Sequence, residues 1–415
     1  MNDRKDILLS ACMIVRDEEQ FIEKSLVSFM GFADEIVIGD TGSADRTPEI
    51  AKDFGARVYD IPWNNDFSAA RNAVLDHARG AWILFIDADE KILPFPKSDI
   101  LPAFNDASKK AFFSFLIPNK NMTPRRTLRI FRRDRRICYR GIIHENIREG
   151  LQEVMSKEGG EIGELPIFFN HFGRERNRAQ KHARNLPLLL EELKRNGENT
   201  YYLRHLGLTY SQLDQRSLAK EVWTKAINII RCKEKREAMD SFPFMDLIKM
   251  LQHHGQPARL LLDEALAYFP DNPQLIFSNG RELLIERRPL EAIPYFKRLL
   301  RWGKEKDYDH TISYNKRIFD GYSLASLASC YFLLGKFEKS SLFCGQAQKY
   351  DLGSFGIKEL LDLLNSLGRP CDHRIIQSQK ELIMEKFNIK ELPEDIKISE
   401  EEMRNAYGGL KRNRA

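Results

Sequence analysis

The sequence predicts an α/β domain built on a mostly parallel sheet, followed by an all-α domain. Three observations carry that expectation. Over residues 1–175, short apolar and β-branched runs alternate with helically spaced segments across short loops. This is the pattern of parallel strands covered by helices on both faces. From Thr200 onward strand patterns vanish and helical spacing takes over. Within that second half, pairs of small residues recur at a fixed 12-residue spacing, as helical repeats require.

The elements follow in order. Ile7–Val15 is a continuous apolar run of buried-strand length, and Asp17–Met30 has helical spacing with Phe21, Leu26 and Phe29 apolar. Glu35–Gly39 is a β-branched strand ending in Asp40-Thr41-Gly42-Ser43. Asp45 and Thr47 are expected to cap the next helix, with Pro48 suited to its first turn. Ala56–Ile61 is a third strand, Phe67–Ala78 a third helix and Ala81–Asp87 a fourth strand. Ligands of such sheets bind at the C-terminal strand ends, where Arg16, Asp17, Asp40, Asp87 and Asp89 fall.

In the second half, Gly207/Ala219, Gly280/Ala292 and Ala328/Ser340 are the small pairs. Three residues past the first member stand Tyr210, Leu283 and Tyr331. Four past the second stand Trp223, Phe296 and Cys344, and seven past it Ala226, Leu299 and Ala347. Small residues let two antiparallel helices approach, and large ones fill the groove between them. The spacing resembles a degenerate tetratricopeptide repeat, with a weaker copy over Asp246–Pro270 that uses Ala258 and Ala265. The expected boundaries are an α/β domain over 1–175, a helical connector over 176–199, a repeat domain over 200–368 and a polar tail over 369–415.

Composition narrows the class. Of 415 residues, 42% are hydrophobic and 30% charged, and mean hydropathy is −0.45, which excludes a disordered or collagen-like chain. No apolar run reaches the ~18 residues of a membrane span. The N-terminus lacks a signal-peptide pattern, so a cytoplasmic protein is expected. Cys12, Cys138, Cys232, Cys330, Cys344 and Cys371 are scattered without a CxxC pair, which argues against a disulfide frame or a cysteine zinc site. The net charge of +5 allows an anionic ligand without requiring nucleic acid.

The strongest chemical signal is Asp87-Ala88-Asp89 after an apolar strand. Alternation puts residues i and i+2 on one side, where two carboxylates can converge on a hard cation such as Mg²⁺ or Mn²⁺. A solvated acidic turn is the plain alternative. Asp40, an acceptor-only carboxylate at a strand end, suits a base N–H or ribose hydroxyls.

In order and spacing, MIVRDEE, EIVIGDTGSADRT and WNNDFSAARNAVLDHARGAWILFIDADE resemble family 2 glycosyltransferases of the GT-A fold. Further on, RRTLRIFRRDRRICYRGIIHENI, FFNHFG and KHARNLPLLLEEL before the repeats resemble the branch that includes sublancin-type peptide S-glycosyltransferases. The resemblance implies an inverting, metal-dependent transferase using a nucleotide-sugar donor, most simply a UDP-sugar. Val15, Arg16 and Asp17 would frame the base, although relatives often carry Lys-Asn where this chain has Arg16-Asp17. Asp40 would contact base or ribose, Arg71 and Asn72 would face the nucleotide, and Asp87 and Asp89 would hold the metal, with Asp89 essential to catalysis. His144 and His171 are both candidates to complete the coordination, and Glu145, which follows the strand-like segment Tyr139–Ile143, is the candidate base.

Eight arginines between Arg125 and Arg140 leave two readings open. One is a solvated hairpin with Leu128 and Ile130 inward and Arg129 outward. The other is a cradle for the diphosphate or an anionic acceptor. Nucleic acid is not expected, because no stacking aromatics interleave the run. The helical domain is expected to present a peptide or protein acceptor, through Cys or Ser/Thr. A saccharide or lipid-linked acceptor is the alternative, and a non-catalytic scaffold is the rival class. The oligomeric state, a homodimer included, stays open.

Overall fold

The computed structural model describes residues 8–96, 98, 100–173, 178–350 and 360. The tail expected over 369–415 and the start of the connector lie outside these residues. The described residues form two compact units. One takes in those up to Asn119 and Pro124–Ala219, the other Lys120–Thr123 and those from Lys220 onward.

The first unit is organised on an eight-stranded sheet. Strands β1 (Leu9–Val15), β2 (Glu35–Asp40), β3 (Arg57–Asp60) and β4 (Trp82–Phe85) run parallel in the order β3-β2-β1-β4. Helices α1 (Ile22–Phe29), α2 (Thr47–Asp53) and α3 (Phe67–His77) connect them. β1 shows why both faces are covered. Ala11, Met13 and Val15 pack in one core with Leu26, Phe29 and Ala51, while Cys12 joins Val37, Val74, Ala78 and Phe85 in another. The period of two therefore feeds two layers from one continuous apolar run.

The other half of the sheet is mixed. β4 pairs antiparallel with β7 (Arg125–Arg132), β7 antiparallel with β6 (Lys109–Ile117), β6 parallel with β8 (Glu161–His171), and β8 antiparallel with the short β5 (Glu90–Ile92). This curled, mostly parallel sheet is the GT-A arrangement the motifs imply. α4 (Arg148–Glu158), α5 (Arg178–Asn196) and α6 (Thr200–Gln212) complete the unit.

Two local expectations are corrected. Asp45 does serve the start of α2, its Oδ1 accepting the Thr47 N–H at 3.0 Å, but the Thr47 side chain does not cap the helix and the N-cap position itself is Arg46. Thr47 Oγ1 instead accepts the Glu18 N–H (2.8 Å) and donates to Asp45 (2.5 Å), tying the loop after β1 to the start of α2. Tyr139–Ile143, strand-like by composition, contains only an isolated bridge between Arg140 and Asn146. Side chains and α3 take its backbone groups. Asn72 clasps both the N–H and C=O of Tyr139, Ser68 donates to the Gly141 carbonyl, Phe67 N–H to the Ile142 carbonyl, and Glu192 accepts the Ile142 N–H. A segment satisfied in this way has no ladder to join.

The second unit is helical, with α8 (Ser241–His253), α9 (Arg259–Tyr268), α10 (Pro273–Ile285), α11 (Pro289–Glu305), α12 (Gly321–Leu333) and α13 (Phe337–Ala347). α7 (Arg216–Arg231) leads into it. The repeat positions do what their sizes predict. A Cβ on Gly280 would lie 2.8 Å from the Phe296 ring, so only glycine lets α10 and α11 approach this closely. Ser340 Oγ donates to the Ala328 carbonyl at 2.8 Å between α13 and α12. Trp223, Phe296, Cys344, Ala226, Leu299 and Ala347 are all buried, as are Ala258 and Ala265 of the weaker copy. Within this unit, Thr123 N–H donates to the Tyr314 carbonyl and Thr123 Oγ1 accepts the Tyr314 N–H, each at 2.8 Å. Among the described residues, no helix is long and apolar enough to cross a membrane.

Candidate active site

At the C-terminal edge of β1 and β2 the chain builds a small polar cradle. Val15 and Asp40 are register partners. The Val15 carbonyl accepts both the N–H (2.9 Å) and the hydroxyl (3.0 Å) of Thr41. Ser43 donates its hydroxyl to Asp40 Oδ1 (2.5 Å) and its N–H to the same carboxylate (3.2 Å). Asp17 takes a left-handed conformation, with φ 55°, as a short polar side chain tolerates. Its N–H donates to Ser43 Oγ (3.0 Å), and its carboxylate accepts the Ala44 N–H (2.7 Å). Val15, Asp17 and Asp40 are thus locked together through Thr41 and Ser43, while Arg16 stands exposed beside them.

Next to this, at the end of β4, five charged side chains form an alternating chain. Arg71 on α3 lies over the Phe85 and Tyr139 rings, at 4.6 and 5.3 Å from their centroids. Its Nε donates to Glu145 Oε1 (2.5 Å) and its Nη2 to Asp87 Oδ1 (2.9 Å). The other Asp87 oxygen accepts from Arg129 Nη2 (2.9 Å), which also donates to Glu90 Oε1 (2.6 Å). Glu90 Oε2 then accepts the Asp87 N–H (3.2 Å), closing the loop. Burial alone would raise the Asp87 carboxyl, but Arg129 and Arg71 more than offset it and hold the group well below the usual carboxylate range. Burial pushes the Glu90 carboxyl up to about 7. The charges of Asp87 and Asp89 add to the rise, and Arg129 opposes it.

Asp89 lies apart from that chain. Its Oδ2 is 3.3 Å from His171 Nε2, because β5 pairs with β8 at Glu90 and His171 and the Phe172 N–H donates to the Asp89 carbonyl (2.9 Å). Gly173 is required here, since a Cβ on it would fall 2.4 Å from the Asp89 Cβ.

The two histidine candidates therefore separate. His171 meets Asp89, while His144, with φ 56°, stacks on His205 of α6 at 3.7 Å. Burial first, then Lys181, Arg204 and His182, pushes the His144 imidazole down to about 4. Asn72 is committed to the Tyr139 backbone rather than turned to a ligand. Arg129 overturns the outward-facing hairpin expectation, because the pairing of Ile130 in β7 with Leu84 in β4 brings the Arg129 guanidinium to Asp87 and Glu90, where two carboxylates offset its burial. Glu90 was not singled out from sequence, and Arg129 was named only as an outward member of the arginine run. The only local sign was a third acid directly after Asp87-Ala88-Asp89.

Among the described residues no group of three or more His, Cys, Asp and Glu side chains is placed to hold a metal by itself. The Asp89–His171 pair, one carboxylate oxygen and one imidazole nitrogen 3.3 Å apart, fits a divalent cation whose remaining ligands come from a diphosphate.

Residues 10–152 match the family model described as glycosyl transferase family 2. The chain is 32% identical over 206 residues to a TPR repeat-containing protein of Synechococcus elongatus, covering 48% of this chain and 51% of that protein. It is 27% identical over 285 residues to the SPbeta prophage-derived glycosyltransferase SunS of Bacillus subtilis, covering 66% of each. The chain thus spans about half of the first relative and just under two thirds of the second. Among solved structures it is similar to glucosyl-3-phosphoglycerate synthase from Mycobacterium tuberculosis in complex with phosphoglyceric acid. That match has 18% identity and a TM-score of 0.36, over 46% of this chain and 80% of that one.

Proposed function

The chain carries a glycosyltransferase family 2 domain, and from that premise we propose an inverting, metal-dependent transfer of a sugar from a nucleotide-sugar donor to a peptide or protein acceptor. The observation that carries the reading is the convergence of Asp87, Arg71 and Glu145 at the C-terminal edge of the parallel strands, with the separate Asp89–His171 pair two residues further along the chain from Asp87. Substrates bind at this edge in open α/β sheets.

In this reading the base and ribose of a UDP-sugar lie against Val15, Arg16, Asp17 and Asp40. Asp89 and His171 would hold Mg²⁺ or Mn²⁺, which when bound would supply positive charge to the leaving diphosphate. Arg71 and Arg129 set the position of Asp87 and add positive charge beside the diphosphate. Arg71 Nε orients Glu145, whose carboxylate takes the acceptor proton. The acceptor oxygen or sulfur bonds to the anomeric carbon, the bond to the diphosphate breaks on the opposite face, and configuration inverts in one displacement. The α/β domain over 1–175 performs this chemistry.

A peptide acceptor is supported by the helical hairpins of α10 to α13, since stacked helical hairpins present concave peptide-binding surfaces, and by the motif resemblance to the peptide S-glycosyltransferase branch. The test is a donor screen by nucleotide release with and without Mn²⁺, followed by mass spectrometry of candidate peptides. Metal-dependent release and a peptide mass increased by one hexose are expected. Transfer only to saccharide or lipid-linked acceptors would replace the peptide reading, and no release with any donor would defeat the transferase reading.

A further inference from the structure

Glu90 is 1% exposed, yet it is a carboxylate with two separate hydrogen-bond duties. Oε1 accepts from Arg129 Nη2 at 2.6 Å, and Oε2 accepts the main-chain N–H of Asp87 at 3.2 Å. It also stands in β5 opposite His171 and one residue after Asp89. One buried side chain therefore touches the backbone of the first motif aspartate, the guanidinium that binds its carboxylate, and the strand that fixes the Asp89–His171 pair. Burying a carboxylate is costly, and a buried ion pair adds little net stability over well-packed apolar residues. Fold stability is thus a poor reason for a glutamate at this point, and geometry is a better one.

We propose that Glu90 is a positioning residue for the donor site. It holds Arg129 on Asp87 and holds the Asp87–Asp89 turn in the conformation that receives the nucleoside diphosphate and its cation. This rests on the glycosyltransferase reading above. Neither oxygen can be dispensed with, because two donors, one from a side chain and one from the main chain, need two acceptors. Glutamine supplies only one acceptor oxygen and turns an N–H toward the second donor. Lysine at position 129 keeps the charge but loses the planar fork that reaches both carboxylates.

The experiment measures the affinity of uridine diphosphate with Mn²⁺ by calorimetry for the full-length wild type, Glu90→Gln, Arg129→Lys and the double variant, together with their melting temperatures. Partners that orient ligand-holding groups typically contribute about 10–100-fold in affinity when lost. Each single variant should weaken binding by about that factor, and the double variant should be no worse than the weaker single, because both break one unit. A merely structural role would lower the melting temperature and the active fraction but leave the affinity of the folded molecules unchanged. Unchanged affinity in the folded variants, or losses that multiply in the double variant, would overturn the proposal. If Glu90→Gln does not fold, Glu90→Asp, which keeps the carboxylate but shortens its reach to Arg129 and the Asp87 N–H, decides instead: retained wild-type affinity overturns the proposal and a loss of about 10–100-fold upholds it. If the wild type binds no nucleoside diphosphate, the transferase reading fails and takes this proposal with it. Wild-type binding that the variants retain removes only the positioning role.

Discussion

Val15, Asp17 and Asp40 meet through hydrogen bonds among residues 15–44, all on adjacent parallel strands and their loops. Glu90, Arg129 and His171 come from three strands of the mixed half of the sheet, and Arg129 reaches Asp87 across 42 positions of sequence. The first region is a local cradle of mostly neutral donors and acceptors, partly open to solvent. The second is an array of alternating charges with Glu90 and Arg129 largely buried, where each charge depends on its neighbours. The difference teaches which errors each region tolerates. A local loop can relax when one partner is lost, whereas a buried charge left without its partner bears its full desolvation cost.

The largest expected effect tests the charged region. Glu145→Gln should cost ~10²–10⁴ in transfer rate if the acceptor is a hydroxyl. If it is a thiol, with an ordinary pKa of about 8.5, the cost should be smaller and should shrink as pH rises. Transfer rate against pH, with donor saturating, distinguishes them. A pH-independent loss below about tenfold would remove Glu145 from the base role and leave it as a partner of Arg71.

Asp89→Asn comes next. Removing the charged half of the Asp89–His171 pair should lower turnover by roughly 10²–10³, comparable to losing one preorganised electrostatic stabiliser, with the melting temperature nearly unchanged. Full turnover by the variant, or by the wild type in EDTA, would count against a metal there.

In the local cradle the effect should be milder. Asp40→Ala removes the acceptor that Ser43 uses and should weaken nucleoside diphosphate binding by about 1–3 kcal/mol. Calorimetry showing no change would assign Asp40 to loop structure alone. A loss as large as that of Asp89→Asn would break the contrast between the regions.

The smallest effect concerns stability. His144 is pushed down to about 4 by burial and by the nearby cations, and His205 is held well below its ordinary value. The unfolded chain takes up these protons near pH 6.5, whereas in the folded chain His144 takes up its proton only near 4 and His205 well below its ordinary value. The associated stability is therefore present above about pH 6.5 and is lost as pH falls toward 4. His144→Asn, which suits the left-handed backbone, should flatten the melting temperature between about pH 7 and pH 5 by a few degrees. An unchanged slope would show that the stacked pair does not govern acid sensitivity.

Much of the parallel half was legible because its signals are local. The alternation in β1, the Asp40 strand end and the Asp87–Asp89 spacing all lie within single elements. The repeat positions were legible for the same reason, since a 12-residue spacing of small residues fixes one helix against the next, as Gly280 and Phe296 do. The Tyr139–Ile143 segment misled because its composition is strand-like, while its hydrogen bonds go to Asn72, Ser68 and Glu192, which no pattern within the segment reveals.

By itself the sequence determined the order of elements, the two-layer burial of the first strands, the aspartates at their ends and the helical hairpins, because periodicity and spacing act over a few residues. Tertiary structure alone decided that Arg129 turns inward, that Glu90 joins it to the Asp87 main chain, and that His171 meets Asp89 while His144 stacks on His205. The first three depend on the register of β5 against β8 and β7 against β4, and register is set by packing between strands distant in the chain, while the last depends on where α6 places His205.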